Sequence, residues 1–100
     1  MTGAPLIRVD VNYFSNVRAL TGEPGSTLEL PEGSSVHDML SIVAARYGDE
    51  LREYLFPDEG GLHPHVVVIL NGRGVGVLEG LDTTLNDGDR VAILPSIGGG

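Results

Sequence analysis

Residues 31–48, PEGSSVHDMLSIVAARYG, hold the one strong helical period in a chain of 100 residues. Val36, Met39, Leu40, Val43 and Tyr47 recur at i, i+3, i+4, i+7 and i+11, which draws a single apolar stripe down one side of a helix. Ser35 is placed to cap its start, with Asp38 three residues on in the manner of a capping box, and Gly48 is placed to stop it. One stripe covers one face of one other layer. The fold must therefore supply a single apolar face for it, and the flanking segments read as strands. The pattern predicts a two-layer α+β domain, a mixed sheet packed on one main helix.

The strands carry their own signals. LIRVDVNY (6–13) alternates, with Ile7, Val9, Val11 and Tyr13 on one face and Arg8, Asp10 and Asn12 on the other. Residues 14–25 hold Gly22, Pro24 and Gly25 and read as a turn region, with a helical turn at 17–20. STLEL (26–30) reads as a second strand, antiparallel to the first, with Leu28 and Leu30 inward. Residues 49–56 suit a second short helix and 57–64 a loop. HVVVILN (65–71) is apolar throughout and β-branched, as in a central strand covered on at least one face. Asn71-Gly72 signals a tight hairpin. An edge strand is expected at 75–78, a turn-rich stretch at 81–90 and a final strand at 90–94, ended by Pro95.

Composition excludes several kinds of chemistry. There is no cysteine, so disulfides, thiolate nucleophiles and zinc–sulfur sites are ruled out. A net charge of −8 argues against nucleic acid and suits a partner with a basic surface. No apolar run approaches the ~20 residues of a membrane span, and the first residues lack the pattern of a secretory signal. The chain reads as cytoplasmic, with no membrane partner. All six cations are arginine.

Four groupings could carry chemistry. His63-Pro64-His65 could reach a metal from one face, but nothing is spaced to complete the ligand set, and no metal site is expected. GRGVG (72–76) has strands predicted on both sides, unlike a phosphate loop, which needs a helix after it. Asp87 and Asp89 flank Gly88 in a string typical of turns. The fourth is LPSIGGG (94–100). Glycine loses more conformational freedom on ordering than any other residue. A Gly-Gly terminus can, however, thread a channel where any Cβ would clash, and so present a terminal carboxylate inside another enzyme.

IRVDVNYFSNVRALTG (7–22) and LNDGDRVAILPSIGGG (85–100) resemble the ubiquitin-like sulfur carriers, a family that includes the small subunit of molybdopterin synthase and the thiamine-pathway carrier. The likeness of 7–22 is to an aromatic followed by x-x-V-R-x-L-x-G. The likeness of 85–100 is to a Gly-Asp, an apolar strand, a proline and a closing Gly-Gly, which falls here on Gly99 and Gly100. Residues 55–72 resemble archaeal small modifiers and a cysteine-pathway carrier as much. The resemblance implies a β-grasp domain over 1–95 and a flexible tail over 96–100. It implies that a ubiquitin-activating-type enzyme, using ATP and Mg, adenylates the Gly100 carboxylate. A thiocarboxylate then forms there, with Gly98 and Gly99 threading the partner's channel. The first acceptor implied is the molybdopterin synthase large subunit. Cysteine or thiamine synthesis, or isopeptide modification of proteins, are the alternatives. Phe14, Leu94, Pro95 and Ile97 are the candidate docking residues. No stably bound cofactor is expected.

Overall fold

The computed structural model describes residues 5–57, 61–75 and 78–95. Its elements in order are β1 (Leu6–Tyr13), α1 (Ser15–Thr21), β2 (Gly25–Pro31), α2 (Val36–Tyr47), α3 (Asp49–Leu55), β3 (Val66–Leu70), β4 (Arg73–Gly74) and β5 (Arg90–Pro95), with a 3-10 turn at Gly80–Asp82 before the last strand. The strands form one sheet in the order β2-β1-β5-β3-β4. β1 is antiparallel to β2 and parallel to β5, while β3 is antiparallel to both β5 and β4, so the sheet is mixed. The last strand is thus threaded into the middle, between the first and third.

Alternation decides which face of the sheet is buried. Along β1 every second residue is buried, and Ile7, Val9, Val11 and Tyr13 are the inward set, as the period-two pattern requires. Leu28 and Leu30 of β2 and Val91 and Ile93 of β5 join them. Against this face lies α2, whose Val36, Met39, Leu40 and Val43 are fully buried. Its start is fixed by a complete capping box. The Ser35 amide donates to Asp38 Oδ2 at 2.9 Å and the Asp38 amide donates to Ser35 Oγ at 3.2 Å. These bonds hold the exposed Asp38 carboxyl below its ordinary pKa. α2 ends at Gly48, which turns the chain at φ 101° straight into α3. Leu51 and Leu55 of α3 complete the core.

Two sequence expectations are revised. The helical turn at 17–20 is a full helix, α1, that drives Val17 into the core. The described edge strand is β4 at Arg73–Gly74, ahead of the expected 75–78, of which residues 76 and 77 lie outside the described residues. Asn71 and Gly72 both have positive φ, 51° and 87°, as a two-residue hairpin of type I′ requires, so pairing resumes at once with Arg73 opposite Leu70. Val75 then turns inward and is buried, which ends the ladder.

Candidate functional site at the root of the C-terminal tail

β5 delivers the chain to its last described residue, Pro95, from the centre of the sheet. On one side Tyr13 lies opposite Ile93, and the Phe14 amide donates to the Ile93 carbonyl at 3.1 Å. On the other, Val67 lies opposite Leu94 and Val66 opposite Pro95. The tail root is therefore gripped between the end of β1 and the start of β3.

The surface around this exit is apolar. Phe14 precedes α1 in extended conformation and is 47% exposed, so it is not part of the core. Ser15 follows it at φ 52°, a left-handed position that costs a non-glycine residue about 1–2 kcal/mol and that makes the corner between β1 and α1. Leu94 and Pro95 are half-buried. Three of the four docking candidates, Phe14, Leu94 and Pro95, therefore come together. Ile97, like Gly98, Gly99 and Gly100, lies outside the described residues.

Apolar residues that the sequence reading did not single out stand beside them. On β3, Val67 and Ile69 are half-buried while Val66, Val68 and Leu70 are buried. Val67 faces Leu94 and Ile69 faces Ala92 across the ladder, so four apolar side chains form a patch on the face of the sheet opposite α2. The signal available was the run HVVVILN itself. A strand apolar on both faces in a sheet with helices on only one face must leave half its side chains uncovered.

The other groupings are structural. His63 and His65 do meet, with ring centroids 5.3 Å apart, but His63 Nδ1 already accepts the His65 amide at 2.9 Å. Tyr54 stacks on His63 and accepts a hydrogen bond from Asn16 Nδ2. Among the described residues no group of three or more His, Cys, Asp or Glu could hold a metal. Asp87 Oδ1 accepts the Arg8 amide, and Asp89 accepts from Asn71 Nδ2 and the Asn86 amide. Asn71 Oδ1 in turn accepts the Arg90 amide, so these side chains tie the β3–β4 turn to the start of β5. Residues 71–74 make a hairpin and not a phosphate loop. No described helix is long and apolar enough to cross a membrane.

A mixed sheet with the last strand in its centre, helices on one face and a chain end leaving beside an apolar patch defines a ubiquitin-like β-grasp protein. The solution structure of small archaeal modifier protein 1 from Methanosarcina acetivorans superposes with a TM-score of 0.83 at 30% identity, covering 97% of this chain and all of that one. Residues 11–100 match the ThiS family, and the chain belongs to it. Small archaeal modifier protein 3 of Haloferax volcanii is 34% identical over 94% of this chain and 100% of its own length. The sulfur carrier protein CysO of Mycobacterium tuberculosis is 33% identical over the same shares. A molybdopterin synthase sulfur carrier subunit of Drosophila erecta is 27% identical over 96% of this chain and 94% of its own.

Proposed function

We propose that this protein carries sulfur on its C-terminal carboxylate and that Gly100 is the residue loaded. The observation that supports this most is the placement of the tail root. The chain leaves β5 between Phe14 and Val66, beside the patch formed by Val67, Ile69, Ala92 and Leu94, and continues into Gly98, Gly99 and Gly100. A partner that docks on this patch receives the terminus directly, and side-chain-free residues pass where a Cβ would clash.

The chemistry follows from the group presented. A carboxylate is a poor electrophile. An adenylating enzyme that binds ATP and Mg lets the Gly100 carboxylate attack the α-phosphate, releasing pyrophosphate and leaving an acyl-adenylate. A sulfur nucleophile then displaces AMP, and one carboxylate oxygen has been replaced by sulfur. The chain acts as a co-substrate, and the reacting groups that catalyse each step belong to its partners. Its own contribution is docking and orientation. ATP and Mg stay with the activating enzyme, and we place the reaction in the cytoplasm.

The acceptor we put first is molybdopterin synthase, through its large subunit. The support is the likeness of residues 7–22 and 85–100 to its small subunit, and the relative that bears that name. The relatives named as small archaeal modifiers favour a second reading, an isopeptide bond from Gly100 to lysines of other proteins. One experiment separates them. The protein is incubated with its activating enzyme, ATP and sulfide, then followed by intact mass and by blotting for conjugates. Exchange of one oxygen for sulfur at the C-terminus is the expected result, and removal of Gly99 and Gly100 should abolish it. Because the clustered core lies within residues 7–93, that truncation should leave the melting temperature unchanged. Loading of the truncated chain would sink the carrier reading. A ladder of conjugates with no thiocarboxylate would put the modifier first. Lysine-linked self-polymers are not expected in either case, because the chain has no lysine.

A further inference from the structure

β2 is one margin of the sheet, and its outer edge has no partner among the described residues. The register shows which groups it offers. The Tyr13 amide donates to the Pro24 carbonyl and the Glu32 amide to the Pro5 carbonyl, while Val11 faces Ser26, Val9 faces Leu28 and Ile7 faces Leu30. In an antiparallel ladder, bonded positions alternate. Ser26, Leu28 and Leu30 thus use their backbone groups on β1, and Gly25, Thr27 and Glu29 turn theirs outward, while Pro31 has no N–H and its carbonyl accepts from the Ser34 amide and hydroxyl. Such an edge is a template for another strand.

α2 runs alongside it. Asp38, Ser41, Ile42, Ala45 and Arg46 are exposed and share one helical face at i, i+3, i+4, i+7 and i+8. Ile42 is 39% exposed and sits over the middle of the β2 edge. It lines one shallow concavity with Pro31, Gly33, Asp38 and Ser41, and a second with Thr27, Leu28, Glu29 and Arg46. Asp38 therefore lies toward the end of β2 and Arg46 toward its start.

We propose that a second copy of this chain docks on this edge, about a two-fold axis passing beside Leu28 and Ile42. β2 then pairs antiparallel with the partner's β2, Thr27 opposite the partner's Glu29 and Gly25 opposite the partner's Pro31. The same axis lays α2 antiparallel to the partner's α2. Ile42 meets the partner's Ile42, and Arg46 meets the partner's Asp38 at both ends of the contact. The charge order selects a copy as the occupant. A chain of net charge −8 repels its like in most orientations, but the run Asp38–Ile42–Arg46 is complementary to itself when reversed. Ser41 and Ala45 are small enough to let the helices approach. Asp38 stays ionised, because Ser35 holds its carboxyl below the ordinary range. β5, Phe14 and the Val67–Leu94 patch remain free, so both tails stay available to partners.

The test uses the full chain in sedimentation velocity from micromolar to near-millimolar concentration. The parent protein should show a concentration-dependent doubling of mass. Ile42→Arg and Ile42→Glu should each weaken association by about a hundredfold, because each places like charges together at the axis. An equimolar mixture of the two should dimerise again. Thr27→Pro should also be monomeric, since the amide it loses faces outward and bonds nothing among the described residues. Thermal melts establish that each variant is folded. The proposal is overturned if the parent stays monomeric throughout, as it would if the edge served a strand of some other protein. It is equally overturned if dimers persist in Ile42→Arg and Thr27→Pro, or if the two folded Ile42 variants fail to associate when mixed.

Discussion

Replacing Tyr13 with phenylalanine should destabilise the protein at neutral pH and cease to do so in alkali. The Tyr13 ring is 1% exposed and meets Tyr47 edge-to-face at 5.5 Å, contacts that phenylalanine keeps. What is lost is the bond between Tyr13 Oη and Ser26 Oγ at 2.7 Å. Ser26 is only half-buried, so water can replace the missing partner, and the cost at pH 7 is about 1 kcal/mol. For a domain of this size that is a drop of about 4–8 °C in melting temperature. Burial pushes the Tyr13 phenol well above its ordinary value of 10.0. An acid whose pKa is raised by folding ionises first in the unfolded chain. Its contribution is fully present below pH 10 and falls as the pH rises from there toward the folded value. One unit above 10, the parent loses about 1.4 kcal/mol of stability that the phenylalanine variant does not. Urea melts of the pair at pH 7 and pH 11 should therefore give a difference of about 1 kcal/mol that vanishes or reverses. A difference that stayed constant would refute the assignment of a buried, un-ionised phenol at this position.

Ser35→Ala removes one half of the capping box at α2 and should cost about 1 kcal/mol in denaturant melts, with no change in thiocarboxylate formation. Leu94→Glu places a charge in the patch beside the tail root. Because Leu94 is half-buried the fold should survive with a loss of no more than about 1 kcal/mol, while the kcat/KM of adenylation by the activating enzyme falls by tenfold or more. Unchanged kinetics in a folded Leu94→Glu protein would remove the patch from the docking surface.

Much of this architecture was legible because its signals are local. The stripe of α2, its capping box and the alternation of β1 each repeat within a few residues, and the structure keeps their inward positions, with Tyr47 at the end of the stripe only partly buried against the core. The hairpin at Asn71-Gly72 was legible for the same reason, since two successive positive φ angles favour those residue types. The edge strand was misplaced because only pairing against Ile69 and Leu70 decides where a two-residue strand lies. Asp87 and Asp89 read correctly as turn formers, but their bonds to Arg8, Asn71 and Asn86 could not be foreseen from spacing.

The sequence by itself determined the α+β class, the inward face of each long strand, the absence of thiol chemistry and the family. Each depends on residue type and short-range period. Only the tertiary structure decided that β5 inserts between β1 and β3, because parallel and antiparallel partners are chosen by long-range packing. That insertion brings Phe14, separated from Leu94 by most of the chain, to the root of the tail. It also divides the apolar run of β3 into buried Val66, Val68 and Leu70 and uncovered Val67 and Ile69. Among the described residues, helices lie on only one face of the sheet. The face left over is set by the fold as a whole and by no single segment of it.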